Sequence, residues 1–253
     1  MIMETSADLL PFPKPGFAQR AFSGLFDLLY PPHCFHCAQP LPDGPNKYLC
    51  DRCFKTVRIL KGESCPRCAH PGKSPTGEDC QFCRTRTLRF DAAVAAVEFG
   101  DASRAIIHAL KYHGNMPAAR LLGGWLAAAL NDHPMRDSNL IIPVPLHRSR
   151  LAHRGFNQAL LIAGTLSATV NKPLHDGNLR RIRHTETQTR MSVAKREENV
   201  KGAFSLRKPV LVAGRSIILV DDVMTTGATM SECARILKAA GARSVLAVVA
   251  ARA

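Results

Sequence analysis

The sequence predicts an α/β protein: a parallel-sheet domain preceded by a small cysteine-rich region. Three observations carry that expectation. Apolar runs at Leu140 to Val144, Ser216 to Val220 and Ser244 to Ala250 are separated by helical stretches at about Phe156 to Thr169 and Ala228 to Ala240, the pattern of strands joined by helical crossovers. Eight of the nine cysteines lie between Cys34 and Cys83, as four C-x2-C knuckles. Hydrophobic residues make up 46% of the 253 positions and charged ones 21%, too apolar for a disordered chain and enough for one sizeable core.

In chain order, residues 1–16 carry Pro11, Pro13 and Pro15 at alternate positions and read as a flexible arm. Phe17 to Tyr30 then sets Phe22, Leu25, Phe26 and Leu29 on one helical stripe, ended by Pro31 and Pro32. With a single Arg and no Lys in that stretch, packing on the cysteine-rich region is favoured over a membrane surface. Residues 1–30 are thus expected to form an arm and amphipathic helix, 31–89 the cysteine-rich unit, and 90–253 the sheet domain. Phe90 to Phe99 opens that domain as a strand. Ser103 to Tyr112 follows as a helix with Ile106, Ile107 and Leu110 on its apolar face, and Ala118 to Leu130 as a second. The longest apolar stretch, Leu121 to Leu130, is far short of the roughly 18 residues that span a bilayer. Glu4 and Asp8 stand where a secretory signal would be basic. An integral membrane or exported protein is therefore disfavoured, and a cytoplasmic location is expected.

The knuckles carry the first chemical signal. Cys34, Cys37, Cys50 and Cys53 form C-x2-C-x12-C-x2-C; Cys65, Cys68, Cys80 and Cys83 form C-x2-C-x11-C-x2-C. Two residues between cysteines let both sulfurs of a knuckle converge on one ion, and tetrahedral zinc takes four such ligands. Two Zn2+ ions follow, structural because protein sulfur fills every ligand place. A disulfide scaffold is the alternative, set aside because thiols stay reduced without export. His33 and His36 adjoin the first knuckle and are expected to be spectators. Spacing leaves open whether the knuckles pair in tandem or interleave. Cys233, inside the helical stretch Ala228 to Ala240, is expected to be a buried free thiol.

Thirty-four Lys and Arg against 20 Asp and Glu give a formal net charge of +14, pointing to a polyanionic partner or a phosphorylated substrate. Eight thiolates and two zinc ions leave the cysteine-rich region nearly neutral. Half of the excess lies between Pro145 and Lys201, where eleven Lys and Arg face four Asp and Glu. The basic surface therefore belongs to the sheet domain.

The most informative string runs from Ile217 to Thr229. Four apolar residues form a buried strand, Asp221 and Asp222 stand at its C-terminal end, and Thr225, Thr226, Gly227, Ala228 and Thr229 open a helix. Such a turn aims backbone N–H groups and the helix dipole at a phosphate, while adjacent carboxylates accept hydrogen bonds from a sugar diol. In an open α/β sheet this edge is where ligands bind.

The whole string resembles the phosphoribosyl-diphosphate (PRPP) motif of type I phosphoribosyltransferases. The resemblance implies that fold, a ribose-diol and catalytic role for Asp221 and Asp222, and a 5-phosphate cradle from Thr225 to Thr229. It also implies Mg2+ bound with PRPP. Ile141 to Pro145 resembles the family's first core strand, Leu146 to Arg150 its pyrophosphate loop, and Leu179 to Phe204 its second strand and mobile segment. Arg148, Arg150 and Arg154 stand where pyrophosphate would sit, and guanidinium forks suit its oxygens. Arg190, Lys195 and Arg196 either close over the diphosphate or form a solvated basic face.

Pro143-Val144-Pro145-Leu146-His147-Arg148, Arg154 to Gln158, and Gln188, Arg196, Asn199, Val200, Gly202 and Phe204 resemble the ComF (competence protein F) family, whose members also carry cysteine knuckles. That resemblance implies a PRPP-binding protein of single-stranded DNA uptake in natural transformation, with single-stranded DNA and the uptake machinery as partners. The alternative is an active phosphoribosyltransferase with an unidentified acceptor, unconnected with DNA. The second half also resembles glutamine PRPP amidotransferase, but no cysteine follows Met1, so ammonia transfer from glutamine is disfavoured. Lys111-Tyr112-His113 resembles a recurrent ComF stretch for which the sequence suggests only helix capping. Oligomeric state cannot be read from the sequence.

Overall fold

The computed structural model describes residues 32–42, 48–60, 62, 64–72, 80–131, 133–185 and 193–253. The N-terminal arm, the Phe17 to Tyr30 helix, Gln188 and Arg190 lie outside these. Strands β1 (Ala92–Glu98), β2 (Leu140–Pro143), β5 (Ser216–Met224) and β6 (Ser244–Arg252) form one parallel sheet in the order β1-β6-β5-β2. Helices α1 (Asp101–His113), α2 (Met116–Leu130), α3 (Arg148–Arg154) and α4 (Gln158–Val170) lie between β1 and Leu179 in the chain; α5 (Val193–Val200) and α6 (Ala228–Ala239) follow. The sheet domain thus has the expected α/β architecture.

Two departures from the sequence reading have local causes. Residues 179–204 do not add a strand to the main sheet; β3 (Leu179–Arg181) pairs antiparallel with β4 (Phe204–Leu206) as a separate ribbon. At three residues each, these strands are too short to leave a periodic mark. The loop expected at Leu146 to Arg150 is also shorter, because His147 caps α3 by accepting from the Ser149 amide through Nδ1 and the helix already begins at Arg148.

Alternation along β5 divides the core. Ile218 and Val220 face a layer containing α1, α2 and α4, whereas Ile217 and Leu219 face α6 and the β3–β4 ribbon. Both faces are buried, which is why the parallel strands read as continuous apolar runs. Helix α2 is held tightly: Asn115 caps it by accepting from the Ala118 amide, and Gly123 lets it approach α4 closely.

The cysteine-rich region sits at the β1 side of the sheet. Ile59 bridges Val97 antiparallel, and the Leu60 amide donates to the Ala96 carbonyl at 3.0 Å. The Ala93 amide donates to Pro66 at 3.1 Å. These contacts cover an edge that would otherwise expose unpaired backbone groups. The first cysteine set packs into the α1–α2 layer, where Phe54 meets the Trp125 ring at 6.5 Å, and the second packs into the α6 layer. No helix among the described residues is long and apolar enough to cross a membrane.

Candidate functional site

The knuckles pair in tandem. Cys34, Cys37, Cys50 and Cys53 converge, as do Cys65, Cys68, Cys80 and Cys83, with the sulfurs of each set within 4.8 Å of one another. A zinc tetrahedron with 2.3 Å bonds has edges of about 3.8 Å. The Cys37–Cys50 and Cys65–Cys83 sulfur separations are 3.7 Å, and Cys68–Cys80 is 3.6 Å. Both sets therefore fit structural zinc in size, chemistry and ligand number. Cys233 is fully buried, and desolvation pushes its thiol well up, as expected of an inert core cysteine.

The β5 strand runs on through the two carboxylates to Met224, so they lie within the strand rather than beyond its end. The two carboxyls touch each other but have different further surroundings. Asp221 lines a small pocket of about 30 Å³ with Thr225 to Thr229. Asp222 is buried beside it, where the Lys111 ammonium meets its carboxylate at 2.6 Å and Gln158 also hydrogen-bonds to it. Burial pushes the Asp221 carboxyl well above the usual range, and the neighbouring Asp222 charge adds to the shift. At Asp222 burial acts in the same direction and is the largest single influence, but Lys111 together with hydrogen bonds from Asp221 and Gln158 outweighs it, so this carboxyl lies below its ordinary value. One carboxylate is thus a held anion, and the other takes up a proton more readily.

The turn from Thr225 to Thr229, expected to cradle a phosphate, opens α6. Gly227 caps α6 with φ of 76°, a left-handed conformation that L side chains rarely adopt. A Cβ there would also meet the Leu88 side chain at 3.2 Å. The Ala228 amide donates to Thr226 Oγ1 at 3.4 Å, and Arg196 on α5 donates to Thr225 Oγ1 at 3.1 Å. This contact sets Arg196 beside the first residue of that turn. Lys195 is exposed.

The three candidate pyrophosphate arginines have different surroundings. Arg148 is exposed at the start of α3. Arg150 donates to the Thr185 carbonyl at 2.8 Å. Arg154 donates to Gln158 Oε1 at 2.6 Å, which ties it to the Asp222 network. Arg181, which the sequence reading passed over, joins them: it is buried on β3, its guanidinium bonds Thr185 Oγ1, and its Nε has no partner. An under-satisfied buried guanidinium suits an anion.

Lys111 was also missed. Its sequence signal was the Lys111-Tyr112-His113 stretch, but nothing local shows that the C-terminal turn of α1 faces β5. Lys111→Met is expected to lower the unfolding free energy by about 2 kcal/mol at neutral pH, because it leaves the buried Asp222 charge unpaired while part of Lys111 remains open to water. Asp222 is depressed, so its contribution is present above the ordinary carboxylate pKa and is lost as pH falls through the folded value. Lys111 is raised by its carboxylate partner against burial, so its contribution holds until pH passes that raised value. Urea titrations across pH should show a constant penalty in the neutral range that shrinks in acid; a penalty independent of pH would exclude the ion pair as its cause.

Fold and site together define a double-zinc-ribbon protein with a phosphoribosyltransferase-type α/β domain. The double zinc ribbon domain model matches residues 25–84, and the phosphoribosyl transferase domain model matches residues 157–253. Competence protein F of Haemophilus influenzae is 31% identical over 219 residues, covering 84% of this chain and 93% of that protein. The chain belongs to the competence protein F (ComF) family. DNA utilization protein YhgH of Escherichia coli K12 is 32% identical over 223 residues, covering 86% of this chain and 96% of that protein. Competence protein ComFC of Bacillus subtilis is 27% identical over 197 residues, covering 76% and 79%.

Proposed function

We propose that this chain binds PRPP as its Mg2+ complex and acts in the uptake of single-stranded DNA during natural transformation. The observation that carries the ligand is the meeting of the Asp221 carboxylate with the Thr225 to Thr229 turn in one pocket, with Arg196 hydrogen-bonded to Thr225. Carboxylates take the ribose hydroxyls, the α6 N-terminus and threonines take the 5-phosphate, and Arg150, Arg154 and Arg181 are at hand for pyrophosphate. Mg2+ would neutralise charge on that pyrophosphate. The DNA role comes from the names of the relatives, read together with the basic segment from Pro145 to Lys201.

Asp221→Ala combined with Asp222→Ala is expected to weaken Mg2+-PRPP binding about 100-fold while leaving two zinc ions per chain, as read by calorimetry and elemental analysis. Unaltered affinity in that variant would refute the site. The same variant is expected to retain single-strand DNA binding, since removing carboxylates leaves the surface more basic. Normal transformation by a strain carrying it would separate DNA uptake from PRPP.

A second reading, an active phosphoribosyltransferase, is favoured by the Arg196 contact with Thr225, which would shield the sugar from water. A nitrogen nucleophile would form a bond to C1 and lose a proton as the C1–O bond breaks, its electron pair leaving with pyrophosphate. Pyrophosphate release in the presence of candidate acceptors distinguishes this reading from binding alone.

A further inference from the structure

Arg252, at the end of β6, is completely buried at the junction between the second cysteine set and the phosphate cradle. Its guanidinium faces both. Nε donates to the Cys68 carbonyl at 3.1 Å, and one terminal nitrogen donates to the carbonyls of Met224 at 2.9 Å and Thr225 at 2.7 Å. The guanidinium also lies 4.2 Å from the ring centroid of Phe82, which stands between Cys80 and Cys83. Thus one side chain holds a backbone carbonyl of a zinc ligand and the two residues that lead into the cradle.

A guanidinium cannot shed its proton, so a buried one needs a counter-charge. Burial, with Arg86, disfavours the Arg252 cation, and the sulfurs of Cys68 and Cys80 are the charges that favour it. Four thiolates around one Zn2+ carry a net charge of about −2, and this charge is present only while zinc is held. The thiolate set that zinc holds deprotonated at the second site is therefore the counter-charge for Arg252. The adjoining segment strengthens the link. Leu88 would touch a Cβ at Gly227 at 3.2 Å, the Arg89 amide donates to Ser231 Oγ at 3.0 Å, and that hydroxyl donates to the Thr87 carbonyl at 3.3 Å. Ser231 lies in the first turn of α6. The first cysteine set, packed in the other layer, has no equivalent contacts with the cradle among the described residues.

We propose that Arg252 is a positioning residue through which zinc at the second cysteine set holds the phosphate cradle in its binding shape. The inference deepens the PRPP reading above and rests on it for its ligand. Arg252 does not touch PRPP in this scheme; it fixes the start of the loop that does.

The test uses the full chain and two readouts. Arg252→Met keeps the apolar stem over Phe82 and removes the charge. It is expected to retain two zinc ions, to lose about tenfold in Mg2+-PRPP affinity, and to speed amide hydrogen exchange at residues 224–230 by about tenfold. Arg252→Lys keeps a charge near the zinc set, but its compact ammonium cannot span all three carbonyls, so it should fall between wild type and Arg252→Met. Cys83→Ser, which weakens the second site at a partly exposed ligand, should speed exchange at 224–230, whereas Cys37→Ser in the first set should speed exchange only around its own knuckles. Wild-type exchange rates at 224–230 in both Arg252→Met and Cys83→Ser would overturn the proposal. Because exchange needs no ligand, it judges Arg252 even if wild-type protein fails to bind Mg2+-PRPP, a result that would instead sink the PRPP reading. Should Arg252→Met fail to fold, the contrast between Cys83→Ser and Cys37→Ser decides the matter.

Discussion

Gly123→Val is expected to lower the unfolding free energy by about 4 kcal/mol, a large fraction of what holds a domain of this size together. The cause lies in the crossing of α2 and α4. A Cβ at position 123 would stand 2.5 Å from Thr165 Cβ, 2.8 Å from its Cγ2 and 3.0 Å from the Ile162 carbonyl oxygen. Carbon atoms in contact sit about 3.5–4.0 Å apart, so the helices would have to separate by about 1 Å even before the two methyls of valine are added. Gly123 is buried, and Ile162 is part of the same core as Leu122 and Leu126, leaving no solvent side toward which the strain can relax. Urea unfolding of zinc-loaded protein measures the effect; a loss below about 1 kcal/mol would show that the helices are not in close contact. Gly123→Ala should cost less, since alanine favours helix over glycine by about 1 kcal/mol. Thr165→Gly, harmful by about 1 kcal/mol alone, should then rescue part of the Gly123→Ala loss, as a double-mutant cycle would reveal.

What was legible in the sequence was local. Ile217 to Val220 appeared as a strand because a buried parallel strand is apolar on both faces, and the Asp221 to Thr229 string appeared because strand, carboxylates and cradle are contiguous. The cysteine knuckles announced their chemistry through spacing, but tandem pairing had to await the structure, because spacing fixes the two ligands of a knuckle and not which knuckles meet. Long-range partners left no mark. Lys111 is separated from Asp222 by most of the sheet domain's sequence, and Arg252 looks like an ordinary last residue of an apolar strand. Burial makes both charges consequential, and burial is a tertiary property. Arg181 was hidden in another way: it is one of several basic residues in a segment that reads as a solvated surface, and only the short β3–β4 pairing turns it inward. The non-equivalence of Asp221 and Asp222 comes from the Lys111 ion pair at Asp222, a long-range contact the sequence does not place.

Cys34→Ser is expected to reduce the zinc content from two ions per chain to one and to unfold the first cysteine set locally. Apparent zinc-binding free energies of small four-ligand sites are about 10–16 kcal/mol, more than the packing of so small a unit supplies by itself. Cys34 is buried with Leu41, Leu49 and Cys53, and these side chains reach the sheet's core through Phe54 and Trp125. The α/β domain retains its own two apolar layers, so the loss should be partial: amide protection disappears around residues 34–57 and persists in β5 and β6. A second consequence follows at the sheet edge. The segment from Arg58 to Leu60 is anchored immediately after this knuckle set, and it pairs with Ala96, Val97 and Glu98 of β1. Releasing it uncovers parallel-sheet backbone able to pair with another chain, so the variant should associate, as light scattering would register, while wild-type protein remains dispersed at the same concentration. One ion or none in freshly purified, reduced wild-type protein would reject the two-zinc assignment. Loss of one ion without association would show that β1 stays covered by means other than the first ribbon's metal.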